Sequence, residues 1–295
     1  ERASARYAWI QEQQATYPVT AMCRALGVSR SGFHTWQQCK PSAREQADVR
    51  LAMVSQGTHM EHRQVYGTRR LWRVLVGRGE ACGRHRVARL RSQHGVVTLR
   101  RRRFMRTRAA YQRVPVAPNR LAWPFASSTP DLAWVGDITH IATREGWLYL
   151  ATVLDVCSRR IVGWAMGSQQ TLDLAERALH MAIVHRRPAP GLILHHDQGC
   201  KYTSARYRTK VESAKMILSM SRPGMPYDNA MAESFFSTLK LEGVPDKAFA
   251  TREAARMALF NYIEIFYNRT RMHSALEYQS PAQYEERFNR LGYVP

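Results

Sequence analysis

The sequence predicts an α/β protein: a five-stranded mixed sheet with helices on both faces, preceded by small all-α modules. Three observations predict it. From residue 131 onward, short runs rich in β-branched and aromatic residues follow one another and then alternate with helical stretches. Before that point, apolar residues recur at helical spacing between Ser and Gly stops. The charge changes at the same place. Residues 1–130 carry 24 basic and 6 acidic side chains, net +18, whereas 131–295 carry 20 and 17, net +3.

The helical half comes first. Residues 5–14 read as a helix. Thr20 is the expected N-cap of a helix bearing Met22, Cys23 and Leu26, which Gly27 ends; Ser29 caps the next, with Phe33 and Trp36. Two short helices across a Gly turn make a helix-turn-helix pattern whose second helix offers Arg30, Ser31, His34 and Thr35 to a groove. A helical hairpin that merely packs has the same spacing. Residues 42–57 give a further helix. YGTRRLWRVLVGRG gives another, with Leu71, Leu75 and Val76 inward and Arg69, Arg70 and Arg73 outward. Residues 84–94 give a third, with Val87 and Leu90 inward. The run Arg100, Arg101, Arg102, Arg103, followed by Arg106 and Arg108, reads as a solvated linker that also meets a polyanion. Pro115, Pro118, Pro124 and Pro130 mark an extended connection.

In the second half, DLAWVGDITHIA, WLYLATVLDVCS and RRIVGWAMG read as three strands, the last two joined by a short turn. A helix at 171–186, the apolar strand GLILHHD, a helix at 203–213, the strand KMILSMS and a long helix capped by Asp228 follow. The order β-β-β-α-β-α-β-α describes a ribonuclease-H-like fold. Helices at about 251–268 and 281–290 finish the chain. The expected modules are 1–40, 41–108, a linker at 109–130, the sheet domain at 131–245 and C-terminal helices at 246–295.

Composition bounds the function. A net charge of +21, carried by Arg far more than Lys in the first half, suits bidentate contacts to phosphate and guanine. There is no apolar run of the roughly 18 residues that span a bilayer and no signal-peptide pattern, so the expected setting is soluble and cytoplasmic, on the nucleoid, with no membrane partner. The five cysteines, at 23, 39, 82, 157 and 200, form no C-x-x-C pair and read as reduced thiols, mostly buried.

Three acids stand out. Asp137 lies within the first strand, Asp197 ends the fourth, and Glu233 lies in the first turns of the long helix. First and fourth strands are neighbours in such a sheet, so their acids lie side by side and the helix brings Glu233 over them. Carboxylates so close raise one another's pKa. Two Mg²⁺ or Mn²⁺ ions would remove that penalty and clamp an in-line displacement at phosphorus. Asp155 competes, but it leads into the turn with Ser158, where Asp commonly caps a bend. His195 and His196 point to opposite faces of a strand and do not chelate together.

Four stretches around these acids carry a family resemblance: WVGDITHI, LDVCSRRIVGWAM, HHDQGCKYTS and SMSRPGMPYDNAMAESFFSTLKLE. With YNRTRMHSAL at 267–276, and with YGTRRLW and RVARL upstream, the chain resembles second-frame (OrfB-type) transposases of the bacterial IS3 insertion-sequence family, which share a retroviral-integrase-like core. Asp197 and Glu233 are separated by 35 residues, the spacing after which such domains are named. The resemblance implies that Asp137, Asp197 and Glu233 are the metal-binding catalytic triad. It implies that Lys240, two turns beyond Glu233 on the same face, meets DNA at the active site. Asn229 shares that face and is expected to orient water or substrate, while Tyr267, Asn268, Arg271 and His273 order the core or touch DNA. His196, Cys200 and Lys201 depart from the family's commoner residues.

The expected activity is metal-dependent strand cleavage and strand transfer at element ends, with terminal inverted repeats and target DNA as partners and at least a dimer on DNA. A catalytically inactive DNA-binding repressor and a general ribonuclease-H-type nuclease are the alternatives. The family joins an upstream frame bearing a zipper to this one. The chain starts without Met and shows no heptads, so part of end recognition and dimerisation is expected to lie in other sequence.

Overall fold

The computed structural model describes residues 3–38, 42–98, 117–121, 127–199, 201–222 and 226–291. The arginine run at 100–103 lies outside them, as does most of the expected linker.

Three helices open the chain: α1 (Ala3–Gln13), α2 (Val19–Ala25) and α3 (Arg30–Gln38). Pro18, not Thr20, occupies the N-cap of α2, so that helix starts one residue before the expected cap. Gly27 leaves it at φ +64°, and Ser29 Oγ accepts from the Gly32 N–H at 2.9 Å to start α3. Ile10, Met22, Cys23 and Phe33 form a separate small core.

A second helical unit comprises α4 (Ala43–Glu61), α5 (Thr68–Gly77) and α6 (Arg84–Gln93). Ser42 and Glu45 form a capping box at the head of α4. Leu71, Val74 and Leu75 are the buried side of α5. Val76, expected inside, is 45% exposed, because the helix turns its Val74 side inward instead. Arg69 is exposed and Arg70 half-buried, so only the first of these two stands fully outward.

The sheet has the order β3-β2-β1-β4-β5, from β1 (Ala133–Thr143), β2 (Gly146–Asp155), β3 (Ile161–Gly167), β4 (Ile193–His196) and β5 (Ile217–Met220). β1–β2 and β2–β3 are antiparallel, while β1–β4 and β4–β5 are parallel. α7 (Leu172–Arg186) and α8 (Ala205–Ser213) cover one face with Trp134, Val153 and Leu194. α9 (Ala230–Glu242) and α10 (Arg252–Phe260) cover the other with Val135, Ile141 and Leu150. This is the mixed α/β sheet read from the sequence.

Two further helix boundaries differ from expectation. Asp228 does not cap α9: it is buried in a 3₁₀ turn (Pro226–Asn229), where its carboxylate accepts from Arg222 and from the Asn119 side chain. Arg222 outcompetes the helix N–H groups for it, and Asn229 takes the cap position. The expected helix 251–268 changes winding: α10 ends at Phe260 and a π-helical stretch (Asn261–Tyr267) follows, burying Tyr262, Ile263, Phe266 and Tyr267. α11 (Pro281–Arg290) closes the chain behind a Ser280–Gln283 capping box.

The second helical unit shares the core of the sheet domain. Leu51, Val65, Tyr66 and Leu71 belong to one cluster with Phe235, Leu239, Tyr262 and Phe266. The Tyr66 hydroxyl donates to the Thr270 carbonyl at 3.1 Å and accepts from the Met272 N–H at 2.8 Å. No helix among the described residues is long and apolar enough to cross a membrane.

Candidate active site

The parallel pairing of β1 with β4 matches Ala133 to Ile193 and Val135 to His195. Carried on two residues, that register sets Asp137 beside Asp197, on the face that α9 covers. Asp137 Oδ1 accepts from the Ile138 N–H at 2.7 Å, and its Oδ2 accepts from the Asn229 side chain at 3.1 Å. Asn229 is also the N-cap of α9, so the helix carrying Glu233 is attached directly to the first carboxylate. Asp197 Oδ1 accepts from the Gly199 N–H at 3.1 Å.

The electrostatics follow from this crowding. Asp137 is pushed up to about 8, first by desolvation and then by the charge of Asp197, with Glu233 adding a smaller push. Its hydrogen bonds from Ile138 and Asn229 pull the other way and do not prevail. Burial also raises Asp197, against the Gly199 N–H and the Lys201 charge. Glu233 is exposed in the first turn of α9. Lys240, half-buried two turns on, loses basicity to burial and regains some from Asp137. Its charge also holds down His140, whose ring is first depressed by burial.

Among the described residues no group of three His, Cys, Asp or Glu side chains converges closely enough to hold a metal ion. The chemistry of the donors nevertheless fits a hard divalent cation: all are carboxylates, and two stand adjacent in a recess where their charges oppose each other. A cation there removes the penalty that raises Asp137.

The two histidines before Asp197 do face opposite ways. His195 lies between the Ser219 and Ser221 hydroxyls, at 2.8 and 3.1 Å. His196 donates from Nδ1 to the Gly136 carbonyl at 2.9 Å, and its Nε2 accepts from the Tyr207 hydroxyl at 2.9 Å. That pair of bonds requires a neutral ring, and burial holds it down at about 3. The ring stacks on Tyr202 with centroids 3.9 Å apart. A Cβ on Gly136 would come within 2.2 Å of His196 Cε1. Gly136 and His196 thus precede the two aspartates and lock against each other across the strands. Sequence reading missed this pair, although a Gly inside an apolar strand is a signal of close approach.

Asp155 is buried, accepting from the Ser158 N–H and hydroxyl and from the Asp131 N–H. It braces the turn and takes no part in the site. Arg30 and His34 are exposed on α3, away from the carboxylates in sequence and core. Arg271 is buried, its guanidinium bound to Glu242 at 2.6 and 2.8 Å. Asn268 bonds both ways with the Ile161 backbone.

Comparison with known proteins gives the following. Models described as integrase core domain match residues 127–226 and 233–288, and an HTH-like domain matches residues 47–104, the second helical unit. The chain is 44% identical over 270 residues to a 31 kDa protein of insertion element IS600 from Shigella sonnei, covering 92% of this chain and 99% of that one. It is 38% identical over 284 residues to the transposase InsF of insertion sequence IS3A from Escherichia coli, covering 96% and 99%. The catalytic core domain of HTLV-2 integrase, solved in complex with magnesium, aligns at 17% identity with a TM-score of 0.42, over 54% of this chain and 99% of that one, too loosely to carry any inference.

Proposed function

The chain belongs to the family of IS3 insertion-sequence transposases, and from that premise we propose that it cleaves DNA strands at the ends of an insertion sequence and joins them to target DNA. One observation carries the reading: Asp137 and Asp197 lie side by side on adjacent parallel strands, and the N-cap of the Glu233 helix is bonded to Asp137. Asp137 and Asp197, completed by Glu233, would hold two Mg²⁺ or Mn²⁺ ions. Bound there, the ions would activate the attacking oxygen and neutralise charge on the leaving one.

The chain's own residues do the rest. Asn229 and the Ile138 N–H fix both oxygens of Asp137, so its lone pairs point in set directions. Gly199 does the same for one oxygen of Asp197. Lys240 places a cation beside Asp137, where a phosphate entering the recess meets it. Arg69 on the HTH-like unit, and Arg30 and His34 on α3, supply contacts to the duplex away from the cut, while the half-buried Arg70 meets DNA nearer the sheet domain. The working form is a homo-oligomer of at least two copies, since two element ends must be handled together. The arginine run at 100–103 adds non-specific grip.

The test uses purified protein, labelled duplexes carrying candidate terminal repeats, and Mg²⁺. Wild type is expected to nick or join strands, and Glu233→Gln to bind equally without chemistry. Binding by both with chemistry from neither would favour the repressor alternative and sink the enzymatic reading.

A further inference from the structure

One flank of α9 borders a cavity of about 900 Å³, lined by none of the three acids themselves. Its polar lining comes from separate parts of the chain and includes Arg70 on α5, Arg159 in the β2–β3 turn, Ser234, Thr238 and Glu242 on α9, and Arg271 and His273 near the C-terminus. Ser234 follows Glu233 by one residue, so the row 234–238 lies about 100° around the helix from the row 233–240.

The charges in this cavity do not balance. Arg271 is consumed by Glu242, whose carboxylate also accepts from the Tyr262 hydroxyl at 2.9 Å. Arg70 and Arg159 remain. Among the described residues neither has a carboxylate within hydrogen-bond or ion-pair distance; Arg70 lies over the Tyr66 ring, 5.7 Å from its centre. Both are half-buried, and desolvation lowers the basicity of both. His273 is held neutral by burial and by all three guanidiniums, which shows that their fields overlap at one place.

Arg159 also has φ +61°, a left-handed conformation unfavourable for a residue with a Cβ. The turn holds it there, with the Arg159 N–H bonded to the Asp155 carbonyl and the Asp155 side chain bonded to Ser158. A strained backbone thus keeps an unpaired cation at a cavity wall.

We propose that this cavity is a phosphate-binding site, and that it seats a backbone phosphate of the DNA strand running past the carboxylates. Two guanidinium forks match phosphate oxygens bidentately, and the hydroxyls of Ser234 and Thr238 donate to the remainder. Arg70 comes from the HTH-like unit and Arg159 from the sheet domain, so one phosphate bridges the two. That the polyanion is DNA rests on the transposition reading above; that the cavity takes phosphate rests on its own geometry.

The test measures DNA binding by fluorescence anisotropy over a range of salt, together with thermal melting in inorganic phosphate, for wild type, the double variant Arg70→Gln/Arg159→Gln, and Arg159→Lys. Loss of one phosphate contact flattens the log–log salt slope by about 0.9. The double variant is expected to show that change, Arg159→Lys to keep the wild-type slope, and phosphate to raise the melting temperature of wild type but not of the double variant while competing with DNA. An unchanged slope in the double variant overturns the proposal. Stabilisation by phosphate without competition overturns the DNA assignment in favour of a free phosphate ligand. An unchanged slope with altered sedimentation assigns the cavity to an acidic surface of a second copy. If the double variant does not fold, Thr238→Glu, which places a negative charge on the same wall, is judged by the same slope. Strand cleavage by wild type is followed in parallel. Cleavage with an unchanged slope defeats only the cavity proposal, and a changed slope without any cleavage defeats only the enzymatic one.

Discussion

Asp137 carries the clearest consequence at the scale of a single residue. Its carboxyl is raised to about 8 by desolvation and by Asp197, against an unfolded value near 3.9. A carboxyl raised on folding stabilises the protonated protein, so its contribution is complete at low pH and is lost as pH climbs through 8. The buried histidines act with the opposite sign. His195 and His196, held at about 4 and 3, are neutral when folded but only half neutral when unfolded at about pH 6.5, so they add stability as pH rises through that value. They do so alike in wild type and in Asp137→Asn, and the difference between the two proteins isolates the acid. In EDTA, wild type is expected to lose up to about 2 kcal/mol of stability relative to Asp137→Asn between about pH 6.5 and 8, at about 1.4 kcal/mol per unit. Chemical denaturation of both at several pH values would report it. Equal slopes in the two proteins would mean that Asp137 is ionised throughout.

At the scale of elements, β3 and α7 approach each other closely. A Cβ on Gly163 would lie 2.2 Å from the Ala178 carbonyl oxygen and 2.7 Å from the Ala182 N, both backbone atoms of α7. No rotamer change relieves such a clash, so the helix must lift off the sheet. Gly163→Ala is expected to cost at the upper end of about 1–3 kcal/mol. An unfolding midpoint matching wild type would contradict this packing. The elements themselves were largely legible in the sequence, because period-2 and period-3.6 patterns report burial directly. Misreadings arose where long-range partners decided the outcome. Asp228 looks like a helix cap until Arg222 and Asn119 are seen to claim its oxygens. The stretch 251–268 keeps a helical pattern, and nothing local signals its change of winding at Asn261. In the candidate site, the adjacency of Asp137 and Asp197 was visible from strand position, and the place of Glu233 early in α9 from its spacing. Arg159 was not, because its exposure to a cavity depends on a turn closed by Asp155 and on segments more than a hundred residues away.

At the scale of the whole molecule, the hydrophobic cores divide the chain differently from its charge. Residues 3–38 have four buried apolar side chains of their own, whereas Leu51, Tyr66 and Leu71 share a core with α9 and the π-helical stretch. Calorimetry is expected to show a small low-temperature transition for the first three helices. A single cooperative transition should follow for the HTH-like unit together with the sheet domain. Separate melting of residues 42–98 would refute the shared core. Tyr66 adds to the attachment through its bonds to Thr270 and Met272.

On the proposed function, that shared core makes the protein a ruler. A recognition unit on a loose tether samples many distances from the catalytic centre and cuts at scattered positions. Here α5, with Arg69 and Arg70, is packed through Leu71 and Leu75 into the cluster that holds α9 in place. The span from a gripped phosphate to Asp137 is then a constant of the fold. On the proposed reading, the position of the cut is measured from where the duplex is held and not looked up in the bases at the cut itself. Inserting or deleting base pairs between the held segment and the element's end would leave the scissors at the same length along the helix, severing whatever sequence had been moved there.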